Sequence, residues 1–310
     1  MLKWLWKNDR PQEEWVALVE EGGQLDWVRV LRPSGQRPQV RGLGSVALGA
    51  ESDAAWARLS TAQRLKRANC TTLLPESDYR LVLTEAPAVP SEEAKQALRW
   101  RLKDAVDFPI ESAAVDVVDL PPEAARQASV FAVAAAESVI ARHMRRCHQA
   151  RIGLEAIDIA ELALRNVAAL FEEPNRGVAC LLAGQQGSLL VITFKGALCL
   201  TRRFDATAAS LSATPAEFQT SPIERLVLEM QRTLDNFDRQ HSLVPVSRLL
   251  VVSDAGEAGL VAALKENLYL PVEALDLARV VDFTTPPEEQ DPARRVGVTL
   301  AVGAALRGAA

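Results

Sequence analysis

The chain has only three histidines and four cysteines among 310 residues, and each scarcity removes a class of chemistry. His143 and His148 stand five apart on a predicted helix, which does not align them as the i, i+4 ligands of a His-Glu-x-x-His zinc site. They read as surface helix residues. Cys70, Cys147, Cys180 and Cys199 include no Cys-x-x-Cys pair and fit no zinc ribbon or disulfide framework, so reduced thiols in the cytoplasm are expected. Cys147 beside His148 raises the prospect of a lowered thiol pKa, although helix neighbours point about 100° apart. No run approaches the roughly 18 to 20 apolar residues that a bilayer span requires. The phosphate-binding patterns Gly-x-x-x-x-Gly-Lys-Ser/Thr and Gly-x-Gly-x-x-Gly are missing, as is a Gly-x-Ser-x-Gly elbow. Carboxylates are plentiful, yet none stands in an apolar frame that marks it as an acid or base. The net charge of −5 gives no overall attraction to nucleic acid or to an anionic membrane.

What is present is an ordinary globular composition, 48% hydrophobic and 24% charged, long enough for two cores. The stretch Met1-Leu2-Lys3-Trp4-Leu5-Trp6-Lys7 is too short for a signal-peptide core. Its tryptophans, flanked by lysines, could lie at a membrane interface or form a plain surface segment. Short strands are expected at 15–19 and 26–31 with a Glu20-Glu21-Gly22-Gly23 turn between them, and helices at 53–67, 91–107, 137–150 and 158–171. Ser91 is a candidate N-cap, and Pro109 a stop. Residues 205–221 read as a loop, after which Ser221 caps a long helix with Pro222 at its first position. A buried strand at 248–253, a helix at 258–268, a strand at 271–275 and an apolar helix at 296–307 complete the chain. Strands alternating with helices give an α/β class.

The most informative stretch runs from Val178 to Arg202. An apolar strand through Leu181-Leu182-Ala183-Gly184 is followed by Leu189-Leu190-Val191-Ile192, a Lys195-Gly196 turn, and Cys199-Leu200-Thr201-Arg202. This resembles the phosphate-loop hairpin of actin-like ATPases, specifically the PilM and MshI family of type IV pilus assembly, whose first strand ends in Asp-x-Gly. Gly184, Gly196 and Thr201-Arg202 overlay on that pattern, and Leu182 falls on the aspartate. Further likenesses follow in order: Glu85–Pro90 with Trp100, Asp107-Phe108-Pro109 with Val115-Asp116, Ile157–Arg165, Leu228–Leu234 and Val302–Gly308.

The resemblance implies an actin-like (ribonuclease H-like) two-domain α/β fold with a small inserted α/β subdomain. Residues 1–80 plus 152–172 would form the first domain, 81–151 the inserted subdomain and 173–310 the second domain. In such ATPases glycine turns let backbone amides reach phosphate oxygens, and aspartates orient the waters of Mg²⁺. Here the first hairpin would fall at Ala17–Glu20 without Asp-x-Gly, and the second has Leu182. The third reads Ser253-Asp254-Ala255-Gly256, without its paired glycines. Degenerate loops at Leu182, Gly184, Gly187, Ser253 and Gly256 imply a pseudo-ATPase with no catalytic residues, metal or cofactor. ATP with Mg²⁺ stays open as a bound, unhydrolysed ligand on the polar turn Gly184–Ser188. The expected role is that of a cytoplasmic scaffold, peripheral at the inner membrane, of a type IV pilus of the MSHA (MshI) type. Its partners would be the tail of a PilN-like bitopic inner-membrane protein and other pilus assembly proteins. The candidate groove lies in 79–120, with Tyr79, Leu81, Leu83, Trp100, Val115 and Val117. An active ATP-dependent switch protein, or a secretion-system platform domain, is the alternative.

Overall fold

The computed structural model describes residues 14–49, 52–124, 127–213, 221–284 and 291–307. Trp4, Trp6 and Gly308 lie outside the described residues. The chain opens with three antiparallel strands, β1 (Glu14–Glu21), β2 (Gln24–Leu31) and β3 (Gln39–Ala47). Gly22 and Gly23, both at positive φ (58° and 73°), make the two-residue turn between β1 and β2, where a side chain would be strained. Helix α1 (Ser52–Ala62) leads to β4 (Asn69–Leu73), parallel to β1.

A small unit follows, with β5 (Tyr79–Glu85), α2 (Ser91–Leu102), β6 (Ala114–Asp119) and β7 (Ser129–Ala135). Its three strands form a separate sheet in the order β5-β7-β6. Helix α3 (Glu137–Gln149), β8 (Leu154–Asp158) and α4 (Ala160–Ala169) return to the first sheet, where β8 is an edge strand beside β4. The second large sheet is built on β9 (Gly177–Ala183), β10 (Ser188–Phe194) and β11 (Ala197–Phe204). It is completed by a short α5 (Ala208–Ser212), α6 (Pro222–Gln240), β12 (Val246–Ser253), α7 (Ala258–Asn267) and β13 (Val272–Ala274). Finally β14 (Asp282–Phe283) adds to the edge of the first sheet at β3, and α8 (Arg295–Ala305) closes the described chain.

The two large sheets face each other with α4 and α8 between them. One core cluster joins Ala17, Val28 and Val30 of the first sheet to Leu164 and Val167 of α4, Val302 of α8, and Cys180 and Val191 of the second sheet. Every residue of α8 from Val296 to Ala305 is buried, as expected for a helix that is apolar all round. Gly303 is required there, because a Cβ would collide with the Ala163 carbonyl oxygen of α4. Helices α1 and α3 cover the outer face of the first sheet around Trp56, and α6 and α7 cover the outer face of the second around Phe237 and Met230. Each such buried side chain removes apolar area worth roughly 1.5–3 kcal/mol.

Several expectations need correction. Strand β1 runs on through Glu21, past the expected 15–19, and the turn is confined to Gly22 and Gly23 of the expected Glu20–Gly23 stretch. The polar 205–221 stretch contains α5, capped by the Thr207 hydroxyl accepting from the Ser210 amide (3.1 Å). Helix α2 already contains Ser91 and ends at Leu102, well before Pro109. His143 is half-buried rather than fully exposed: its Nε2 lies 2.7 Å from Thr72 Oγ1 and its ring meets Trp56 edge-on. The neighbouring Cys147 thiol is pushed up to about 11 by burial, not down. By contrast the Ser221 cap with Pro222 appears as expected, and Glu224 closes a capping box on it.

Candidate functional site

The cleft between the large sheets is framed by two turns. The β1–β2 turn presents Glu20 and Glu21, and the β9–β10 turn presents Gly184 to Gly187. They touch: Gly22 lies against the Gln185 side chain, and a Cβ on Gly184 would come within 2.7 Å of Glu21 Oε1. Gly184 donates its own N–H to the Gly187 carbonyl (2.9 Å), so that amide serves the turn rather than a ligand. Leu182 is 5% exposed and belongs to the core between the sheets, with Leu189 beside it on β10.

Acidic groups crowd the same corner. Burial raises the Glu21 pKa to about 7, aided by Asp254 and Asp26 and opposed by Arg294 and the Gln185 backbone. Burial likewise raises Asp254 to about 6, while the Val296 amide, which donates to its Oδ1 at 2.9 Å, pulls it down. Asp254 therefore meets the first turn of α8. Arg294 forms a buried ion pair with Asp26, which also accepts from the Ser45 hydroxyl. Ser253, buried at the end of β12, accepts from the Ala255 amide (3.2 Å), and Gly256 takes a positive φ of 85° in the turn beyond. Glu21 owes its shift first to burial and then to Asp254, which lies more than 200 positions away, so no local frame in the sequence exposes it.

A cavity of about 90 Å³ remains between the turns, lined by Val19, Glu21, Leu74, Leu182, Leu189 and Arg203 among others. Small-molecule sites generally run to several hundred Å³. Among the described residues no cluster of His, Cys, Asp and Glu has the makings of a metal site.

One wall of the cavity is a polar network. Tyr79 donates to Glu161 (2.5 Å), and Arg203 reaches the same carboxylate (2.9 Å), the Tyr79 hydroxyl (2.9 Å) and Glu76 (2.6 Å). It ties the first residue of β5 to α4 and to β11. Burial and the Glu161 carboxylate hold the Tyr79 phenol well above its ordinary value.

The six residues expected to line one groove do not meet. Tyr79, Leu81 and Leu83 share the sheet face with Ala114, Asp116 and Val118, whereas Val115 and Val117 point to the opposite face, under Leu98 and Leu102 of α2. Tyr79 is locked in its network. Leu83 is exposed, and Trp100, 72% exposed, stands on the outer side of α2.

A groove does exist beside the small sheet. It measures about 470 Å³ and runs between β6–β7 and the β8–α4 junction. Val118, Val133, Ile157, Ile159 and Leu162 give it apolar walls, and Asp116, Asp119, Asp158, Arg165 and Arg307 a charged rim. Arg307 pairs with the buried Asp158 (2.9 Å), and Arg165 donates to the Gly196 carbonyl (3.0 Å). Of the six residues named from the sequence, Val117 alone borders this groove. The others come from its neighbours on β6, from Val133, from 157–165 and from position 307, contiguous only after folding.

No protein-family model and no curated protein matches the chain. Solved structures do. The chain is similar to a chain of the PilM–PilN type IV pilus biogenesis complex, at TM-score 0.74 and 20% identity over 97% of this chain and 100% of that one. It is similar to the cytoplasmic domain of EpsL, an inner membrane component of the type II secretion system of Vibrio cholerae (TM-score 0.50, 13% identity, 94% of each chain). A Bacteroides thetaiotaomicron protein of unknown function with an actin-like ATPase fold also matches, at TM-score 0.51 and 9% identity over 87% of this chain and 93% of that one. Two sheets enclosing two helices, with a small sheet inserted after the first β-α-β passage, are an actin-like α/β fold.

Proposed function

We propose that this chain is a non-hydrolysing assembly platform of a type IV pilus, of the MSHA type, lying on the cytoplasmic side of the inner membrane. It holds the tail of a PilN-like bitopic inner-membrane protein in the groove between the small sheet and the β8–α4 junction. The 470 Å³ groove carries this reading. Its apolar walls and charged rim suit an extended segment whose alternate side chains meet Val118, Val133 and Leu162, while Arg165 and Arg307 engage polar groups at the rim. The matched PilM chain comes from a complex with PilN, which supports the choice of partner.

The absence of turnover is supported by chemistry at the cleft. Leu182 can neither ligate a metal nor orient its waters, and loss of a metal-linked carboxylate removes several kcal/mol of transition-state stabilisation. Glu20, Glu21 and Glu76 border the cavity, where they repel a triphosphate. Leu162→Glu puts a charge on the groove wall and leaves the cleft intact. A labelled peptide copied from the cytoplasmic tail of a PilN-like protein should bind the full chain and lose binding to this variant, with a secretion-system tail as control. No binding at high micromolar concentration, or equal binding by the variant, overturns the reading.

A further inference from the structure

Among the described residues six strands form the edges of the three sheets, and five of them are blunted in ways that discourage further pairing. Strands β13 and β14 are three and two residues long. Strand β8 carries Glu155 and Asp158 and breaks register beside β4; β11 carries Arg202 and Arg203 and breaks register beside β10. Strand β6 carries Asp116 and Asp119 and lines the groove. Strand β5 differs. It keeps unbroken register with β7 over seven residues, and its centre, Leu81-Val82-Leu83-Thr84, has neither a charge nor a proline.

The Ala86 amide donates to the Ala128 carbonyl (2.8 Å), which sets the phase of the β5–β7 ladder. Bonded pairs alternate between antiparallel strands, so Arg80, Val82 and Thr84 turn their backbone groups to β7. Tyr79, Leu81, Leu83 and Glu85 turn theirs away from the sheet. Two of these outward carbonyls are taken: Arg80 donates to that of Tyr79 (2.9 Å), and Arg101 of α2 to that of Glu85. The N–H and C=O groups of Leu81 and Leu83 have no partner among the described residues. Beside them the Leu83 side chain is 53% exposed.

These free groups are complementary to themselves. Two donors and two acceptors lie symmetrically about Val82. A two-fold axis at Val82 sets Leu81 opposite the partner's Leu83, and every free N–H then meets a free C=O. Pairing centred on Leu81 or on Leu83 instead needs the Tyr79 or the Glu85 carbonyl, each of which already holds an arginine. The side chains agree with the Val82 register. Leucine faces leucine at the centre, Arg80 faces the partner's Thr84 and Tyr79 the partner's Glu85, so no like charges are opposed.

We propose that this edge is a dimer interface. Strand β5 pairs antiparallel with β5 of a second copy of this chain about Val82, and the two three-stranded sheets become one continuous sheet. The groove lies along β6, at the other edge of the small sheet, so the dimer leaves it open on both copies. The interface is therefore independent of any segment held in the groove. A few backbone hydrogen bonds and two leucine pairs make a small contact, so association is weak and follows concentration.

Sedimentation equilibrium of the full chain, from low to high micromolar concentration, tests this directly. The mean mass should climb towards twice that of one chain. Leu83→Pro removes an outward N–H and leaves the β5–β7 ladder whole, so it should keep its circular dichroism and weaken the dimer about tenfold. Val82→Cys sets two thiols on the axis in a non-hydrogen-bonded pair, with Cα atoms roughly 4.5 Å apart and within disulfide reach. The four native cysteines are buried. Mild oxidation should therefore cross-link Val82→Cys and hardly cross-link Leu83→Cys, whose thiols lie diagonally across the axis. A chain that stays monomeric over the whole range overturns the proposal and leaves the edge to a strand of some other protein. A Leu83→Pro dimer as tight as wild type, or cross-linking of Leu83→Cys in preference to Val82→Cys, overturns it as well.

Discussion

Arg294, one residue before α8, forms a buried ion pair with Asp26 in the middle of β2. It joins the last helix to the first sheet at the corner where Glu21 and Asp254 also converge. Removing one partner of a buried pair leaves the other charge uncompensated, at a cost of about 3–5 kcal/mol. Asp26→Ala should therefore lower the urea midpoint sharply with an unchanged m-value. A loss under about 1 kcal/mol would show that solvent reaches Arg294.

Tyr79 closes the network that fastens the small sheet to α4 and β11. Tyr79→Phe keeps the ring and removes the hydroxyl between Glu161 and Arg203, with an expected loss of about 1–3 kcal/mol. Hydrogen exchange should quicken in β5 and β7 more than in β9 or β12. A uniform change across both large sheets would contradict the local role.

Glu21 and His143 give opposite pH dependences. The Glu21 pKa rises from 4.5 to about 7 on folding, so the native state holds its proton more tightly. Its penalty is absent below pH 4.5, grows as pH rises, and is complete above about 7. Glu21→Gln should therefore add about 2 kcal/mol at pH 8 and little at pH 4.5. His143 falls from 6.5 to about 4, because burial and Arg146 disfavour its charged form. Its penalty is absent above pH 6.5 and grows as pH falls towards 4, so His143→Asn should flatten the acid side of the stability profile. Urea titrations across this range check both. A Glu21→Gln gain equal at both pH values would contradict the linkage.

Leu182 is buried in the core between the two large sheets. Leu182→Ala leaves a void between the sheets and should cost about 2–4 kcal/mol. Leu182→Asp buries a carboxylate among Leu189 and Leu300 and should destabilise more without creating ATPase activity. Calorimetry of the two variants ranks them, and an aspartate variant as stable as wild type would place this side chain in solvent.

Much of the fold was legible because it rests on local patterns. The run Val178–Arg202 reads as three strands from its apolar blocks and Gly196, and Ser221-Pro222 marks the start of α6. The candidate site was less so. Alternation along β6 pairs Val115 with Val117, but it does not say which sheet face α2 covers, and both valines fall under the helix. The groove's Leu162, Arg165 and Arg307 belong to other elements, so no window of sequence unites them with Val118. Glu21 looked like an ordinary turn residue because its raised pKa depends on burial by the folded chain and on the distant Asp254.

The central claim is that the cleft works without nucleotide, and a thermal titration with MgATP tests it most directly. A ligand at a hundredfold over its Kd stabilises a fold by about 2.7 kcal/mol, a rise of several degrees in Tm for a chain of this size. The account predicts no rise with MgATP at millimolar concentration and no phosphate release above a no-protein control. A saturable rise in Tm with MgATP, abolished by closing the cavity with Gly184→Val, would contradict it.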